Sequence, residues 1–370
     1  MNKILTIVVP SYNMEAYLGK CLESIVVKNA DGTVDDDLMQ ALEVLVINDG
    51  SKDCTSEIGH GYEAKYPGTF RVIDKANGHY GSCVNRGLEE AKGTFVRVLD
   101  ADDYVDNVKF RGFMELLLSF EPDKRPDAVM TDYDFVHEDG AVESVMHFGI
   151  LPGNKVFSFK NINGIQKYFF QNHNLTYRTD IPRSIGYKQT EGILYSDSEW
   201  FIIPMTQVES VYYYPEIVVR YLVGREGQSV SGENMHRNFH MLLEVATTIV
   251  RQLVKLAKDS DKGGVEFAKT RILQLIRNQY HHVIFDGFDD KQCVELLKDF
   301  DMKLKQCYPS YYEALDNFSS VGWRKVRFAF VTEWRRRYST CTFKFFAFNS
   351  LVRLGNIGHK IKCLFRKKNS

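Results

Sequence analysis

The sequence predicts an α/β protein, a mostly parallel sheet with helices on both faces, followed by an α-helical C-terminal module. Three observations predict it. Short apolar, β-branched runs alternate with stretches of helical spacing over the first hundred residues; each run ends abruptly in a polar loop; and beyond residue 232 only helical spacing continues. With 370 residues, 44% of them hydrophobic, the chain can bury a full α/β core and carry a second module, because single cores stop growing near about 250–300 residues.

Ile4 to Val9 is a near-continuous apolar run closed by Pro10-Ser-Tyr-Asn13, which reads as a strand buried on both faces and then a loop. Tyr17, Leu18, Cys21, Leu22, Ile25 and Val26 recur three and four apart, so an amphipathic helix follows. Val44 to Ile47 is a second strand, ending in Asn48-Asp-Gly-Ser-Lys-Asp53 and followed by a helix over Thr55 to Lys65. A third strand, Phe70 to Ile73, leads through Lys75-Ala-Asn-Gly-His-Tyr-Gly81 into a helix from Ser82 to Ala91. The next run, Phe95-Val-Arg-Val-Leu99, stops at Asp100-Ala-Asp-Asp103.

Carboxylates packed this closely repel one another unless a cation lies between them. The fitting ion is hard and divalent, Mg²⁺ or Mn²⁺, which keeps coordination positions for phosphate oxygens and so suggests a nucleotide diphosphate. An Asp-rich turn after a strand also arises with no ion at all. Asp103 is expected to cap a helix over Tyr104 to Leu118, since Asp satisfies the free N–H groups of a first turn.

Four blocks, Pro10-Ser-Tyr-Asn13, Asn48-Asp-Gly-Ser51, Asn77 to Asn85 and Leu99-Asp-Ala-Asp-Asp103, resemble in order and spacing the inverting glycosyltransferases of family 2, with the GT-A (Rossmann-like) fold, across residues 3–230. The resemblance implies a donor site built on strand ends. Tyr12 offers an aromatic face to a pyrimidine, and Asp49 accepts from a ring N–H or a ribose hydroxyl; strand-end packing and a plain Asn-Asp-Gly turn are the structural alternatives. Pro10, Asn13 and Asn85 belong to the matching blocks, and Lys75 and Asn77 lie where family members place donor-binding groups. Gly78 and Gly81 would let the backbone approach the sugar. By similarity, Asp100 holds the ribose or reaches the ion through water, while Asp102 ligates it directly. His79 and Tyr80 depart from the family's small-residue wording.

For the catalytic base, the resemblance points to Gly192-Ile-Leu-Tyr-Ser-Asp-Ser-Glu-Trp200. Ser196 replaces the first acid of the family's usual pair. Asp197 falls where the base sits, able to take the proton of an attacking hydroxyl. Glu199 is the rival, though Ser-x-x-Glu also fits a capping box with Ser196. Tyr212 to Val223 reads as two strand-like runs broken by Pro215, and the polar loop after it offers Arg225 to a phosphate or to solvent.

The implied function is a metal-dependent, inverting transfer of one sugar from a nucleotide-diphosphate sugar, expected to be UDP-linked, to a hydroxyl of a lipid-linked or surface-polysaccharide precursor. The alternative is an inactive nucleotide-sugar-binding scaffold, for which the missing acid before Asp197 speaks. The Gln-x-x-Arg-Trp signature of processive synthases does not occur. A nicotinamide-dependent dehydrogenase would need Gly-x-Gly-x-x-Gly where Pro10-Ser-Tyr-Asn13 stands.

The expected domains are a catalytic domain over 1–232, a helical appendage over 233–320, and a basic aromatic tail over 321–370. Helical spacing runs over His236 to Lys258, Phe267 to Ile284, Cys293 to Phe300, Tyr308 to Leu315 and Trp323 to Tyr338. Neighbours in a helix face different ways, which speaks against His281 and His282 as joint ligands. Net charge is −1, yet Val321–Ser370 holds 13 of the 47 Lys and Arg against one acid, Glu333, leaving 34 bases against 47 acids elsewhere. Within that tail Phe343, Phe345, Phe346, Phe348, Leu351, Val352, Leu354 and Ile357 interleave with Lys344, Arg353, Lys360 and Lys362, the pattern either of an amphipathic helix lying on anionic lipid or of a stripe packed on the acidic body. No nucleic-acid module accompanies it. Lys3 is followed only by a short strand ending in proline, and no run nears the roughly 20 apolar residues of a membrane span, so a cytoplasmic protein, peripheral at the inner membrane face, is expected. The seven cysteines show neither Cys-x-x-Cys nor zinc spacing and are expected to be reduced.

Overall fold

The computed structural model describes residues 2–161, 171–225, 232–258, 260, 262–318, 320–323 and 326–338. β1 (Leu5–Ser11) is buried along its whole length, as an unbroken apolar run requires. α1 (Leu18–Ile25) turns Leu18, Cys21, Leu22 and Ile25 inward. Next comes a helix that periodicity did not reveal because it is only six residues long, α2 (Asp36–Ala41), capped by the Asp35 carboxylate accepting from the Leu38 N–H. β2 (Leu42–Asn48), α3 (Thr55–Lys65), β3 (Phe70–Asp74), α4 (His79–Glu90) and β4 (Phe95–Val98) continue the alternation. α4 begins three residues before the expected Ser82, because His79 adopts φ 64° and turns the chain into the helix early.

β1 pairs in parallel with β2 on one side and β4 on the other, and β3 lies outside β2. The register puts Ser11, Asn48 and Asp74, the last residues of three strands, in one row. Strand order therefore reverses between β1 and β4, and at such a reversal open α/β sheets form a ligand-binding crevice at the carboxyl ends of their strands.

The segment after the carboxylates corrects one expectation. β5 (Tyr104–Val105) precedes α5 (Asn107–Ser119), and the cap is Asp106, which accepts from the Lys109 N–H at 3.2 Å. Asp103 is fully buried and accepts from the Leu222 N–H at 2.9 Å instead. Beyond it lie β6 (Ala128–Val136), β7 (Val142–Met146), β8 (Val156–Ser158), β9 (Leu175–Arg178), α6 (Asp180–Ser184), α7 (Asp197–Ile202) and β10 (Ser210–Leu222). The sheet runs β3-β2-β1-β4-β9-β6-β10-β5, with β7 beside β6 and β8 beside β10. β9 is antiparallel to both β4 and β6, so the first half is parallel and the second mixed. The two runs expected around Pro215 are one strand, with the register shifting between Tyr214 and Ile217, since proline cannot donate to a ladder.

The chain divides into two compact units, one formed by Met1–Ser231 with Arg251–Lys269, the other by Gly232–Val250 with the described residues from Thr270 on. After β10 come α8 (Gly232–Arg237), α9 (Phe239–Leu256), α10 (Gly263–Phe285), α11 (Lys291–Cys307) and α12 (Pro309–Phe318). The expected helix from Trp323 is instead a hairpin, β11 (Ser320–Trp323) with β12 (Val326–Ala329), and then α13 (Phe330–Arg335). In the second unit, the buried Asp301 takes the Tyr280 hydroxyl and Arg335 Nε (2.8 Å), tying α10, α11 and α13 together. His281 and His282, expected to diverge, both reach Asp286 Oδ2, at 3.0 and 2.8 Å, because that acid lies just past the helix end. Cys21, Cys54, Cys83, Cys293 and Cys307 are free thiols. Among the described residues no helix is long and apolar enough to cross a membrane. The tail stripe from Phe343 to Lys362 lies outside the described residues.

Candidate active site

Asp49, one residue past β2, is the best-anchored group in the crevice. It is 2% exposed, and its Oδ1 accepts from Lys75 Nζ at 2.5 Å and from the Gly78 N–H at 3.0 Å. Its carbonyl accepts from Asn77 Nδ2 at 3.0 Å, and Lys75 Nζ also donates to Ser82 Oγ at 2.8 Å. One buried carboxylate thus organises the whole loop between β3 and α4. Asn13 does the same between the first two loops. Its N–H donates to Ser51 Oγ and its side-chain oxygen accepts from the Lys52 N–H, both at 2.9 Å. Pro10 is buried within β1, whereas Tyr12 projects from its end, 44% exposed, free to offer its ring.

Beyond β4, Asp100 Oδ1 accepts from the Tyr80 hydroxyl at 2.8 Å and Oδ2 from Asn172 Nδ2 at 3.2 Å. Burial, and then the Asp103 carboxylate, push the Asp100 carboxyl up to about 7. Asp103 is likewise pushed up, by burial and then by Asp102. His173 Nδ1 faces Asp103 Oδ2 at 3.2 Å, and its ring stacks on Tyr221 with centroids 4.1 Å apart. Burial lowers the His173 imidazole, against the pull of Asp100. Arg97, the one charge inside β4, is buried beneath this group and donates to the His173 carbonyl and to Thr176 Oγ1 (3.2 Å), which fixes the turn that carries the histidine.

Asp100, Asp103 and His173 each bring a donor atom within 4.8 Å of the others. Two hard oxygens and an imidazole, with the carboxyls held above their ordinary range by burial and then by neighbouring carboxylates, fit a divalent cation. Asp102, the expected direct ligand, instead meets Arg225, Nε to Oδ2 at 2.6 Å, and Arg225 also covers the Tyr17 ring at 5.3 Å.

The expected base region lies close by. Asp197 begins α7, half-buried, and burial raises its carboxyl while His173 opposes the shift. Glu199 is fully buried and accepts from the Thr190 N–H at 2.8 Å, and burial pushes it up to about 7. The capping box with Ser196 does not form, since Ser196 Oγ accepts from Gln189 Nε2 at 3.1 Å.

Two other residues serve the scaffold. Asn85 exchanges hydrogen bonds with the Gln189 backbone, its Oδ1 accepting at 2.8 Å and its Nδ2 donating at 2.9 Å. A Cβ on Gly81 would lie 2.0 Å from the Thr190 carbonyl oxygen, so the 189–191 segment by itself requires glycine here. On Gly78 a Cβ would meet Ser82 Oγ at 2.7 Å.

Sequence reasoning did not single out Tyr80, Asn172, His173 and Tyr221 as site residues. A signal was present in Asn172-His-Asn174, a polar triplet between apolar stretches, but only the fold brings it beneath β4.

Residues 6–124 match the sequence profile of glycosyl transferase family 2. The relatives are partial ones. The uncharacterized glycosyltransferase EpsJ of Bacillus subtilis is 35% identical over 115 residues, 31% of this chain and 30% of its own length. The putative glycosyltransferase EpsH of the same organism is 32% identical over 135 residues, 36% of this chain and 35% of its own. The matched stretch thus spans about a third of these relatives. Among solved structures, S. aureus TarS 1-349 in complex with UDP superposes with a TM-score of 0.60 at 17% identity, over 95% of this chain and 92% of that one. The same protein in complex with UDP-GlcNAc gives 0.56 at 19%, over 91% and 92%. The fold and crevice define a GT-A protein. Residues 6–124, about a third of the chain, carry the similarity to glycosyl transferase family 2.

Proposed function

We propose that this protein transfers one sugar from a UDP-linked donor to a hydroxyl of a lipid-linked or surface-polysaccharide precursor, with inversion at the anomeric carbon. One observation supports the reading: Asp49 follows β2 and Asp100 follows β4, both at carboxyl ends of the parallel strands, and the charge of Asp197 is felt at His173 inside the Asp100–Asp103–His173 cluster.

Tyr12 and Asp49 take the base and ribose, with Pro10, Asn13, Lys75, Asn77, Gly78, Gly81 and Asn85 shaping the loops around them. Asp100 and Asp102, backed by Asp103 and His173, would hold Mn²⁺ or Mg²⁺. Such an ion supplies positive charge against the charge that develops on the departing diphosphate. Arg225, already at the rim, faces phosphate oxygens once it leaves Asp102, and its planar fork suits them. Asp197 takes the acceptor's proton, since burial holds a carboxyl nearer to neutrality than its usual range. Attack with a single carboxylate base and no covalent intermediate inverts the centre. Glu199, with one oxygen held by Thr190, positions the segment behind Asp197. Residues 321–370 supply peripheral contact with anionic lipid at the cytoplasmic membrane face, a reading supported by their 13 cations, of which Arg335 is already engaged by Asp301 and Asp316, against one acid.

The test measures UDP release from several UDP-sugars with Mn²⁺ or Mg²⁺. Wild type releases UDP faster when an acceptor lipid or glycan is supplied, Asp197→Ala does not, and Glu199→Gln retains release. Release by Asp197→Ala at the wild-type rate overturns the base assignment. Donor binding without release from any sugar makes the protein a scaffold.

A further inference from the structure

α8 and the first turn of α9 face the start of α11 across a cavity of about 400 Å³, lined among others by Glu233, His236, His240, Asp290 and Cys293. His236 Nε2 meets Asp290 Oδ2 at 2.5 Å, and the donor atoms of His236, Asp290 and Cys293 all lie within 4.8 Å of one another. We propose that this cluster in the helical unit is a second metal site, built for a borderline divalent cation such as Zn²⁺.

The donor types carry the argument. An imidazole, a thiol and a carboxylate are the three side chains that zinc takes, and hard ions have no use for the sulfur. Each donor is also held in place. Asp290 caps α11, its Oδ1 accepting from the Gln292 and Cys293 N–H groups at 2.9 and 3.1 Å, so Oδ2 remains turned to the cavity. His236 stacks on Phe288, with ring centroids 4.7 Å apart and planes at 21°, and Phe288 is fixed edge-on by Phe239. That packing orients the imidazole the way outer hydrogen bonds usually orient a metal-bound histidine. Cys293 is 4% exposed and opens toward the same cavity. The exposed His240, on the cavity wall, stands within the same lining, and solvent reaches the site past His236 and Asp290, 41% and 44% exposed.

Without metal the His236–Asp290 hydrogen bond holds two donors together, and burial keeps the Cys293 thiol protonated. On binding, Cys293 loses its proton to solvent, and the proton that His236 Nε2 donates to Asp290 leaves that nitrogen, to solvent from an imidazolium or to Nδ1 in a neutral ring, so that the Nε2 lone pair turns to the ion. Carboxylate and imidazole separate slightly to admit it, which their exposure allows.

Co²⁺ is the probe, because a thiolate bound to it gives a charge-transfer absorption that oxygen and nitrogen donors do not. The full chain, stripped by a chelator, is titrated with Co²⁺ and then Zn²⁺. The expected result is a thiolate band that saturates near one equivalent, is displaced by Zn²⁺, disappears in Cys293→Ser, and needs at least tenfold more Co²⁺ in His236→Gln. Asp100→Asn leaves the band intact, which separates this site from the crevice. His236 lies at the surface, so its variant folds even where the buried Cys293→Ser does not. Absence of the band in wild type, its persistence in folded Cys293→Ser, or an unchanged titration in His236→Gln overturns the proposal.

Discussion

Arg225 and Asp102 hold each other: guanidinium Nε lies 2.6 Å from carboxylate Oδ2, with both side chains largely shielded, 15% and 12% exposed. The sequence places Asp102 on the ion and Arg225 on a phosphate or in solvent. An ion pair that each partner must leave makes cation and phosphate binding interdependent. Arg225→Ala is expected to weaken UDP binding about tenfold, near 1.4 kcal/mol, in the presence of Mn²⁺. Asp102→Asn is expected to lower turnover by at least about a hundredfold, near 2.7 kcal/mol of transition-state stabilisation, while leaving metal-free UDP binding intact or tighter, because Arg225 is released. Calorimetric titration of UDP with and without Mn²⁺ separates the two effects, and equal losses in both variants would refute the exchange.

A second prediction concerns the anchor at Asp49. Lys75→Met leaves a buried carboxylate with the Gly78 N–H but no cation, and an under-satisfied buried charge costs about 1–3 kcal/mol. The melting temperature should fall, and the KM for donor should rise more than kcat drops, because the loop from 75 to 82 loses its tie to β2. Asp49→Asn should lose donor affinity with a smaller change in melting temperature, since the amide keeps an acceptor for Gly78 and Lys75 keeps the Ala76 carbonyl and Ser82 Oγ.

The parallel half of this fold was legible because strands covered on both faces are mostly apolar, so β1, β2 and β4 stand out as runs ending in polar loops, while β3, at the sheet edge and largely half-buried, is marked by its short apolar run alone. Asp49 and Asp100 were singled out because such a sheet binds ligands at its strand ends, and Lys75 and Asp197 through the resemblance. Partnerships were not legible. Nothing in Asp100-Ala-Asp-Asp103 says that Asp103 turns inward to Leu222 while Asp102 turns out to Arg225, because both partners arrive more than a hundred residues later, on or just after β10. His173 stayed hidden for the same reason, since it sits on a short turn ahead of a four-residue strand, held by Arg97 from β4. Spacing along a chain reports which face a residue lies on, and carries no word of which distant strand will lie beside it.

Gly81 offers a purely steric test. A methyl group placed 2.0 Å from the Thr190 carbonyl must push backbone against backbone, because α4 and the 189–191 segment are locked together by Asn85. Gly81→Ala is expected to destabilise the catalytic unit by about 2–4 kcal/mol, in the range of severe overpacking. Chemical denaturation measures it, and Gly61→Ala, where a Cβ meets nothing within 4 Å, is the control that should be neutral or stabilising.

The last prediction follows from Glu199. Burial pushes its carboxyl from an ordinary 4.5 to about 7 in the folded state, so between those values the native protein binds a proton that the unfolded chain has released. Stability must then fall as pH rises across that window: the contribution is whole below 4.5 and is lost as pH climbs through 7. Its size is on the order of 3 kcal/mol, about 2.5 pKa units at 1.36 kcal/mol each. Glu199→Gln carries no titrating proton and keeps an oxygen for the Thr190 N–H. Unfolding free energies of wild type and variant should therefore match near pH 4.5 and diverge toward pH 8, with the glutamine protein the more stable. Parallel curves over that range would mean that Glu199 titrates alike in both states, and would remove the physical ground for keeping it as a neutral support behind Asp197 rather than as the base.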